Sequence, residues 1–252
     1  MWDRVTFKAT GKANFKANYW PFVGVSLLLG LATGAFTPDT PDITYRIQEI
    51  NVEGVQDFLY EAQYYIEPIL AVLAPFAFLA GIGGIALTLL VGNPLEVGAN
   101  RFFLESTTFH KGDVGRMGLG FSVNYGNVVL TQFLRALFTF LWSLLFVVPG
   151  IVRFYGYFAV PYILAENPNL DHDRVLKLSR EMTMGYKSEL FVTDLSFLGW
   201  HLLNAMTLGI LGIFYVNPYI YGTKAEIYRF LRANAIQQGI TNPMELPGMG
   251  SL

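Results

Sequence analysis

The chain has 252 residues, of which 53% are hydrophobic, 15% aromatic and only 14% charged, with a formal net charge of −2. A typical soluble domain is about one quarter charged, so few residues are left to cover a water-facing surface. Because the chain has no cysteine, disulfides, thiolate metal sites and cysteine nucleophiles are excluded.

The first 19 residues predict an amphipathic cytoplasmic segment. Arg4, Lys8, Lys12 and Lys16 recur every four residues and form one basic stripe on a helix. We expect the segment 1–19 to lie on anionic lipid headgroups, although the ordinary positive flanks of membrane spans give the same pattern. No small-residue cleavage site follows the apolar run 21–36, so this run predicts a retained first span.

Six apolar runs predict an all-α, polytopic transmembrane helical bundle. A span needs about 20 apolar residues, and such runs lie near 20–36, 66–92, 128–148, 150–166, 189–207 and 208–231. The transmembrane domain is therefore predicted over 20–231, and a polar cytoplasmic tail over 232–252, which we expect to be disordered beyond Asn234. The second run is ambiguous, because Pro68, Pro75 or Gly81 can break it and leave 66–80 as a re-entrant segment.

The distribution of charge predicts the orientation. The segment 37–67 carries seven acidic residues against Arg46 alone. Lysine and arginine collect on the cytoplasmic side of a membrane. The sequence therefore predicts an acidic external loop over 37–65 and places both termini in the cytoplasm.

A repeat of tyrosine and proline predicts three helical hairpins. A tyrosine precedes the first helix of each hairpin and a proline falls late in the second helix, at Tyr19, Tyr125, Tyr186, Pro94, Pro161 and Pro218. The first and last prolines share the pattern NPxxxG. Chance is the alternative, since proline and glycine are common in transmembrane helices. We interpret the three prolines as helix kinks. The kinks at Pro161 and Pro218 either free backbone carbonyls near the middle of the membrane or only shape the helices.

Four polar residues are predicted to lie inside the membrane: Arg135, Asp194, His201 and Asn204. Arg135 follows Tyr125 by ten residues and Asp194 follows Tyr186 by eight, so both lie at similar depth and are predicted to form a direct ion pair. His201 and Asn204 continue the same helix face, which either lines a cavity or makes interhelical hydrogen bonds. We interpret Glu96 as a carboxylate at the cytoplasmic boundary.

No catalytic, cofactor or metal site is predicted. The three histidines are far apart in sequence and no HExxH motif is present. The glycines between 115 and 120 are not followed by Gly-Lys-Ser/Thr, and no serine lies in a nucleophile elbow. We therefore expect a protein that is not an enzyme and has no nucleic-acid partner.

Three stretches are specific enough to indicate a family: VPGIVRFYGYFAVPYILAENP (148–168), LSREMTMGYKSELFVTDLSFLGW (178–200) and TLGILGIFYVNPYIYGTKAEIYRFL (207–231). They resemble the bacterial membrane family catalogued as domain of unknown function 975. The resemblance covers the C-terminal half and reaches the first hairpin only through FKANYW (15–20). It implies a multi-pass plasma-membrane protein of Gram-positive-like bacteria and supplies no established activity.

Two functions remain open. One is transport or handling of a small molecule, lipid or peptide through a polar intramembrane cavity near Arg135 and Asp194. The other is a non-transporting membrane scaffold that binds lipids or other proteins. We favour the first, which a connected cavity would support, whereas a dry, closed core with an apolar lateral groove would support the second.

Overall fold

The computed structural model describes residues 2–33 and 83–249, which form helices and turns without a β-strand. The predicted all-α class is confirmed. The acidic loop 37–65 and the re-entrant candidate 66–80 lie outside the described residues. The chain divides into two compact units, Met1–Phe36 with Leu89–Leu252 and Thr37–Thr88. Of the second unit only 83–88 are described, and they are helical.

The first helix pair consists of α2 (Tyr19–Thr33) and α3 (Asn93–Phe109), and α1 (Arg4–Ala17) precedes it. Asp3 caps α1 by accepting hydrogen bonds from the backbone N–H groups of Val5 and Thr6. Helical residues 83–87 and a π-helix, Thr88–Gly92, lead into α3. A 3₁₀-helix (Val114–Gly118) and α4 (Leu119–Ser122) follow.

Two helical hairpins follow α4 along the chain. The second hairpin pairs α5 (Tyr125–Leu145) with α6 (Val147–Gly156) and α7 (Val160–Glu166), joined at Phe146, whose backbone is extended. The connecting helix α8 (His172–Met182) leads to the third hairpin. This hairpin pairs α9 (Lys187–Leu195) and α10 (Leu198–Met206) with a π-helix (Gly212–Val216) and α11 (Asn217–Gln237).

Two described helical stretches, Tyr125–Leu145 and Val147–Glu166, are long and apolar enough to cross a membrane, and Tyr19–Thr33 is a shorter apolar helix. Only 17% of an 18-residue apolar segment within the first stretch is buried. Large apolar side chains also face outward at the tips of both hairpins, including Phe146, Val147, Met206 and Leu208. Water solvates such a continuous apolar surface poorly.

The three predicted kink prolines all stand at helix starts. The two π-helices end directly before Asn93-Pro94 and Asn217-Pro218, and each proline lies in the first turn of the next helix. A π-turn is wider than an α-turn and leaves room for the proline ring, which clashes with the preceding turn of a regular helix. Pro161 lies in the first turn of α7, which follows a turn at 157–159.

A short segment leads into each helix pair: α1 into the first, the 3₁₀-helix with α4 into the second, and α8 into the third. These leading segments link the three pairs in a closed cycle of contacts. Gly98 of α3 lies against the backbone of Met117 in the 3₁₀-helix that leads into the second hairpin. Ser179 of α8 donates a hydrogen bond to the Gly156 carbonyl of that hairpin. A Cβ atom on Gly11 of α1 would lie 2.6 Å from the Thr223 nitrogen of α11. Each leading segment thus packs on the second helix of the preceding pair, and α1 closes the cycle on the third.

The basic stripe of α1 largely faces protein. The Lys8 ammonium lies 3.1 Å from the Ser196 hydroxyl and 4.1 Å from the centre of the Phe197 ring. Arg4 donates to the Val192 carbonyl, and Lys12 lies 5.8 Å from the centre of the Tyr215 ring. These three half-buried side chains therefore contact the third hairpin near its helix breaks, and the contact of the segment with lipid headgroups stays a prediction. Lys16 is exposed.

The expected disorder of the tail beyond Asn234 is also wrong as far as residue 249. Helix α11 continues to Gln237, and residues 238–249, which we call the strap, pack on the bundle with Leu246 fully buried. Arginine side chains donate to its backbone carbonyls: Arg174 to Ile240, Arg232 to Leu246 and Arg101 to Met249. These bonds satisfy the main chain of a segment too rich in proline and glycine to form a helix.

A candidate polar cavity at the helix breaks

A cavity of about 170 Å³ lies between the second helices of the three pairs and the helices α5 and α9. We call it the polar cavity. Four charged side chains line it, Glu96, Arg135, Asp194 and Lys224, together with Asn100 and the rings of Tyr155, Tyr162 and Tyr221. At about 30 Å³ per molecule, the volume corresponds to roughly six waters.

Arg135 and Glu96 form the first ion pair in the wall. The Arg135 Nη1 atom lies 3.4 Å from Glu96 Oε1. Gln132, one turn earlier on α5, donates to Glu96 Oε2 at 2.8 Å and accepts from Arg135 Nη1 at 2.9 Å. The buried amide therefore holds both charged groups in place and joins α3 to α5.

Asp194 and Lys224 form the second ion pair. The Lys224 Nζ atom lies 3.3 Å from Asp194 Oδ1, and the Tyr155 hydroxyl donates to Asp194 Oδ2 at 3.1 Å. About a third of each of these two charged side chains stays accessible, 29% and 31%. This pair joins α9 to α11, while its charges remain in contact with the cavity.

Asn100 adds uncommitted hydrogen-bonding capacity to the wall. The residue is only 3% exposed, and its side chain makes no hydrogen bond to any other described residue. An amide can donate two hydrogen bonds and accept two more. The amide atoms of Asn100 open into the cavity, so this side chain is available there to hydrogen-bond a polar ligand.

Breaks in two helices create the space. Helix α6 ends at Gly156 before the turn that precedes Pro161, and α9 ends at Leu195, directly after Asp194. Hydroxyls of Ser179 and Thr183 donate to the Gly156 carbonyl, so the free end of α6 is satisfied. Discontinuous helices are typical of substrate sites near the middle of the bilayer in transporters.

The structure brings two of the four predicted polar residues together. Arg135 and Asp194 line one cavity, but the predicted direct ion pair between them is wrong, since each binds another partner. His201 is exposed and does not line the cavity. The Asn204 amide oxygen accepts from the Gly212 backbone at 2.5 Å and closes the hairpin turn. The helix break after Leu195 separates these two residues from the face that carries Asp194.

Sequence reasoning missed Glu96, Asn100 and Lys224. The sequence indicates a boundary carboxylate at Glu96 but not its pairing with Arg135 in the wall of the cavity. The repeat contains a signal that could have found the other two. Asn100 and Lys224 each follow the proline of an NPxxxG pattern by six residues, and both line the cavity.

Residues 133–235 match the family model described as "Protein of unknown function (DUF975)". This segment belongs to that family. The DUF975 segment includes Arg135, Tyr155, Asp194 and Lys224 of the polar cavity, whereas Glu96 and Asn100 precede it. Comparison of the chain with curated proteins and with solved structures gives no match.

Proposed function

We propose that the chain is a multi-pass protein of the bacterial plasma membrane that binds a small charged solute in the polar cavity. In this proposal the three helix pairs provide about six spans, and both termini are cytoplasmic. The outward-facing apolar surface of α5 and of the hairpin tips supports a lipid environment. The observation that carries the binding function is the cavity with two ion pairs and the unpartnered Asn100 amide in one wall.

The charge pattern favours a zwitterionic solute. Such a solute can exchange partners with the wall, its ammonium replacing a cation beside Glu96 or Asp194 and its carboxylate replacing an anion beside Arg135 or Lys224. Each partly buried charge then keeps an opposite charge throughout binding, which avoids the cost of a stranded ion. The small volume limits the solute to about the size of a short amino acid, well below the roughly 300–1,000 Å³ of sites for drug-sized ligands.

The proposal assigns no catalytic reaction to the cavity. We propose that anionic headgroups bind exposed basic residues of α1 and α8, such as Lys16 and Lys177. Such contacts contribute about 1 kcal/mol per basic residue near an anionic surface.

Thermal unfolding of the purified protein in detergent tests the solute site. The probes are glycine, β-alanine and γ-aminobutyrate, which differ in the separation of their charges, with methylammonium and acetate as singly charged controls. A solute at about 100 times its dissociation constant stabilises the folded state by about 2.7 kcal/mol. We expect at least one zwitterion to raise the melting temperature and neither control ion to do so.

Two variants test whether the rise in melting temperature comes from binding in the polar cavity. Asn100→Leu keeps the number and branching of the side-chain heavy atoms but removes the free amide from the cavity, so it should abolish the shift. His201→Leu removes a polar side chain that lies outside the cavity and should leave the shift unchanged. If no zwitterion stabilises the protein, or if both variants respond like the parent, the solute site is wrong and the scaffold alternative is favoured.

A further inference from the structure

A second, larger cavity lies further along the helices that line the polar cavity. Its volume is about 570 Å³, and its wall is formed by α1, the ends of α3, α7 and α11, and strap residues Pro247, Gly248 and Met249. We call it the strap cavity. It is more than three times as large as the polar cavity and is bounded on one side by the strap.

The strap cavity repeats the chemistry of the polar cavity. Arg229 pairs with Glu226 at 3.1 Å, and Arg232 pairs with Glu166 at 2.9 Å. Asn14 of α1 donates to Glu226 at 2.8 Å. Both cavities therefore carry two ion pairs in the wall, and a zwitterion that exchanges partners in one can do the same in the other.

The same three helices line both cavities. On α3, Asn100 faces the polar cavity and Leu104 faces the strap cavity; on α7, the corresponding residues are Tyr162 and Glu166. Each pair is four residues apart, which is about 6 Å along a helix. Helix α11 contributes Lys224 to one cavity and Glu226 to the other. The cavities therefore follow one another along a common axis.

Two tyrosines occupy the layer between the cavities. The rings of Tyr162 and Tyr228 stack with their centres 5.0 Å apart and their planes 16° from parallel. Tyr228 is completely buried, and its hydroxyl, beside Glu166, makes no well-formed hydrogen bond among the described residues. A stack of two buried rings excludes water from this layer.

We propose that the two cavities are consecutive sites on one path for a small charged solute, and that the stacked pair Tyr162–Tyr228 is the barrier between them. The nature of the solute rests on the proposed function, whereas the connection between the cavities does not. The strap forms the outer wall of the path at its wider end.

Cysteine accessibility tests the barrier, because the chain has no native cysteine. Asn100→Cys places a single thiol in the polar cavity, and a charged methanethiosulfonate reagent is applied to intact cells and to inside-out membrane vesicles. Met244→Cys, on the exposed part of the strap, identifies the preparation in which the reagent meets the strap. From that side the Asn100→Cys thiol should react slowly. Adding Tyr228→Ala should raise its rate about tenfold, equivalent to about 1.4 kcal/mol in the barrier to entry.

A matched variant separates opening of the barrier from general loosening. Tyr219→Ala truncates another buried tyrosine of α11, which packs on Phe197 away from Tyr162, and should leave the rate near that of the parent. Tyr228→Phe keeps the ring stack and should also react slowly. If Tyr228→Ala does not fold, Tyr162→Ala removes the other ring and should give the same increase.

Two results would overturn the barrier. One is a thiol at position 100 that already reacts from the strap side as fast as the thiol at position 244. The other is an equal increase with Tyr219→Ala and Tyr228→Ala. Neither readout involves a solute, so the barrier can fail while the zwitterion still stabilises the protein, and the solute site can fail while the labelling result stands.

Discussion

At the scale of single residues, each charge in the polar cavity is neutralised by a partner from another helix. Glu96 of α3 binds Arg135 of α5, and Asp194 of α9 binds Lys224 of α11. Counting residues from the tyrosines predicted that Arg135 and Asp194 lie at one depth, and they do line one cavity. The partner of each charge was not predictable from the sequence. It depends on how each helix is rotated about its axis and on how far the side chains extend across the cavity.

We predict strong energetic coupling between Arg135 and Glu96. Removing one partner of a fully buried pair costs about 3–5 kcal/mol, but these side chains are 27% and 24% accessible, so the loss should be nearer 2 kcal/mol. Removing both should cost less than the sum of the single losses. The measurement is a double-mutant cycle of Arg135→Leu and Glu96→Leu, read as unfolding free energy in detergent.

The control cycle combines Arg135→Leu with Asp194→Leu. These two residues do not contact one another, so their losses should add within about 0.5 kcal/mol. A larger coupling in the control than in the Arg135–Glu96 cycle would contradict the assignment of partners.

At the scale of elements, glycines set how closely the leading segments approach the helix pairs. Gly98 of α3 and Gly222 of α11 occupy the same place in the two NPxxxG patterns, and each meets the backbone of a leading segment, at Met117 and at Gly11. The pattern is visible in the sequence. The backbone segments that these two glycines contact cannot be identified from the pattern, because they are distant along the chain.

We predict that Gly98→Ala is strongly destabilising. The added Cβ would overlap the Met117 backbone, which cannot move aside as a flexible side chain can, so the loss should be about 3 kcal/mol. Gly24→Ala is the control, because no atom lies within 4 Å of its Cβ position and alanine favours a helix by about 1 kcal/mol. Equal melting temperatures for the two variants would refute the close contact between α3 and the 3₁₀-helix.

The strap is the element that composition predicted least well, and its attachment should depend on pH. Arg174 donates a hydrogen bond to Glu245 at 2.8 Å, and this bond lowers the pKa of that carboxyl below its ordinary value of 4.5. A lowered pKa in the folded state stabilises the strap above pH 4.5, and this stabilisation is lost as the pH falls through the folded-state value.

Hydrogen exchange in a peptide that covers the strap measures this loss. Glu245→Gln should exchange faster than the parent at neutral pH, and the difference should vanish in acid, where the parent carboxyl is also protonated. Glu189→Gln, at a half-buried carboxyl of α9 that accepts a hydrogen bond from Ser188, should match the parent at every pH. A difference between Glu245→Gln and the parent that persists unchanged in acid would exclude the charge of Glu245 as its cause.

At the scale of the whole molecule, the sequence predicted an all-α chain with its helices arranged in repeated pairs. The described helices agree in class, and both NPxxxG prolines follow π-helices. The cyclic packing of the leading segments was not predictable from hydropathy, because it rests on contacts such as Gly11 with Thr223, which are made by short or mixed-polarity segments. The number of membrane spans and their orientation remain predictions.

We predict that positions 16 and 244 are cytoplasmic and position 50 external. Lysine and arginine concentrate near the termini, whereas carboxylates concentrate between 37 and 67. Single cysteines at Lys16, Met244 and Ile50 are treated with a membrane-impermeant maleimide. In intact cells only Ile50→Cys should react, and in permeabilised cells all three should. The reverse pattern in intact cells would invert the topology.

The same reagent tests whether lipid covers the molecule at all. Leu208, at the tip of the third hairpin, and Met244, on the strap, are each 93% exposed, so in water their cysteine variants should react equally fast. If the apolar tips formed by Met206, Leu208 and Ile210 lie in the hydrocarbon or the interface, the thiol at position 208 stays protonated and away from the aqueous reagent. We therefore expect Leu208→Cys to react much more slowly than Met244→Cys in permeabilised cells, and at a similar rate once the protein is denatured. Equal rates in the native protein would mean that water reaches the apolar tip, and the assignment of this hairpin to the membrane would then be wrong.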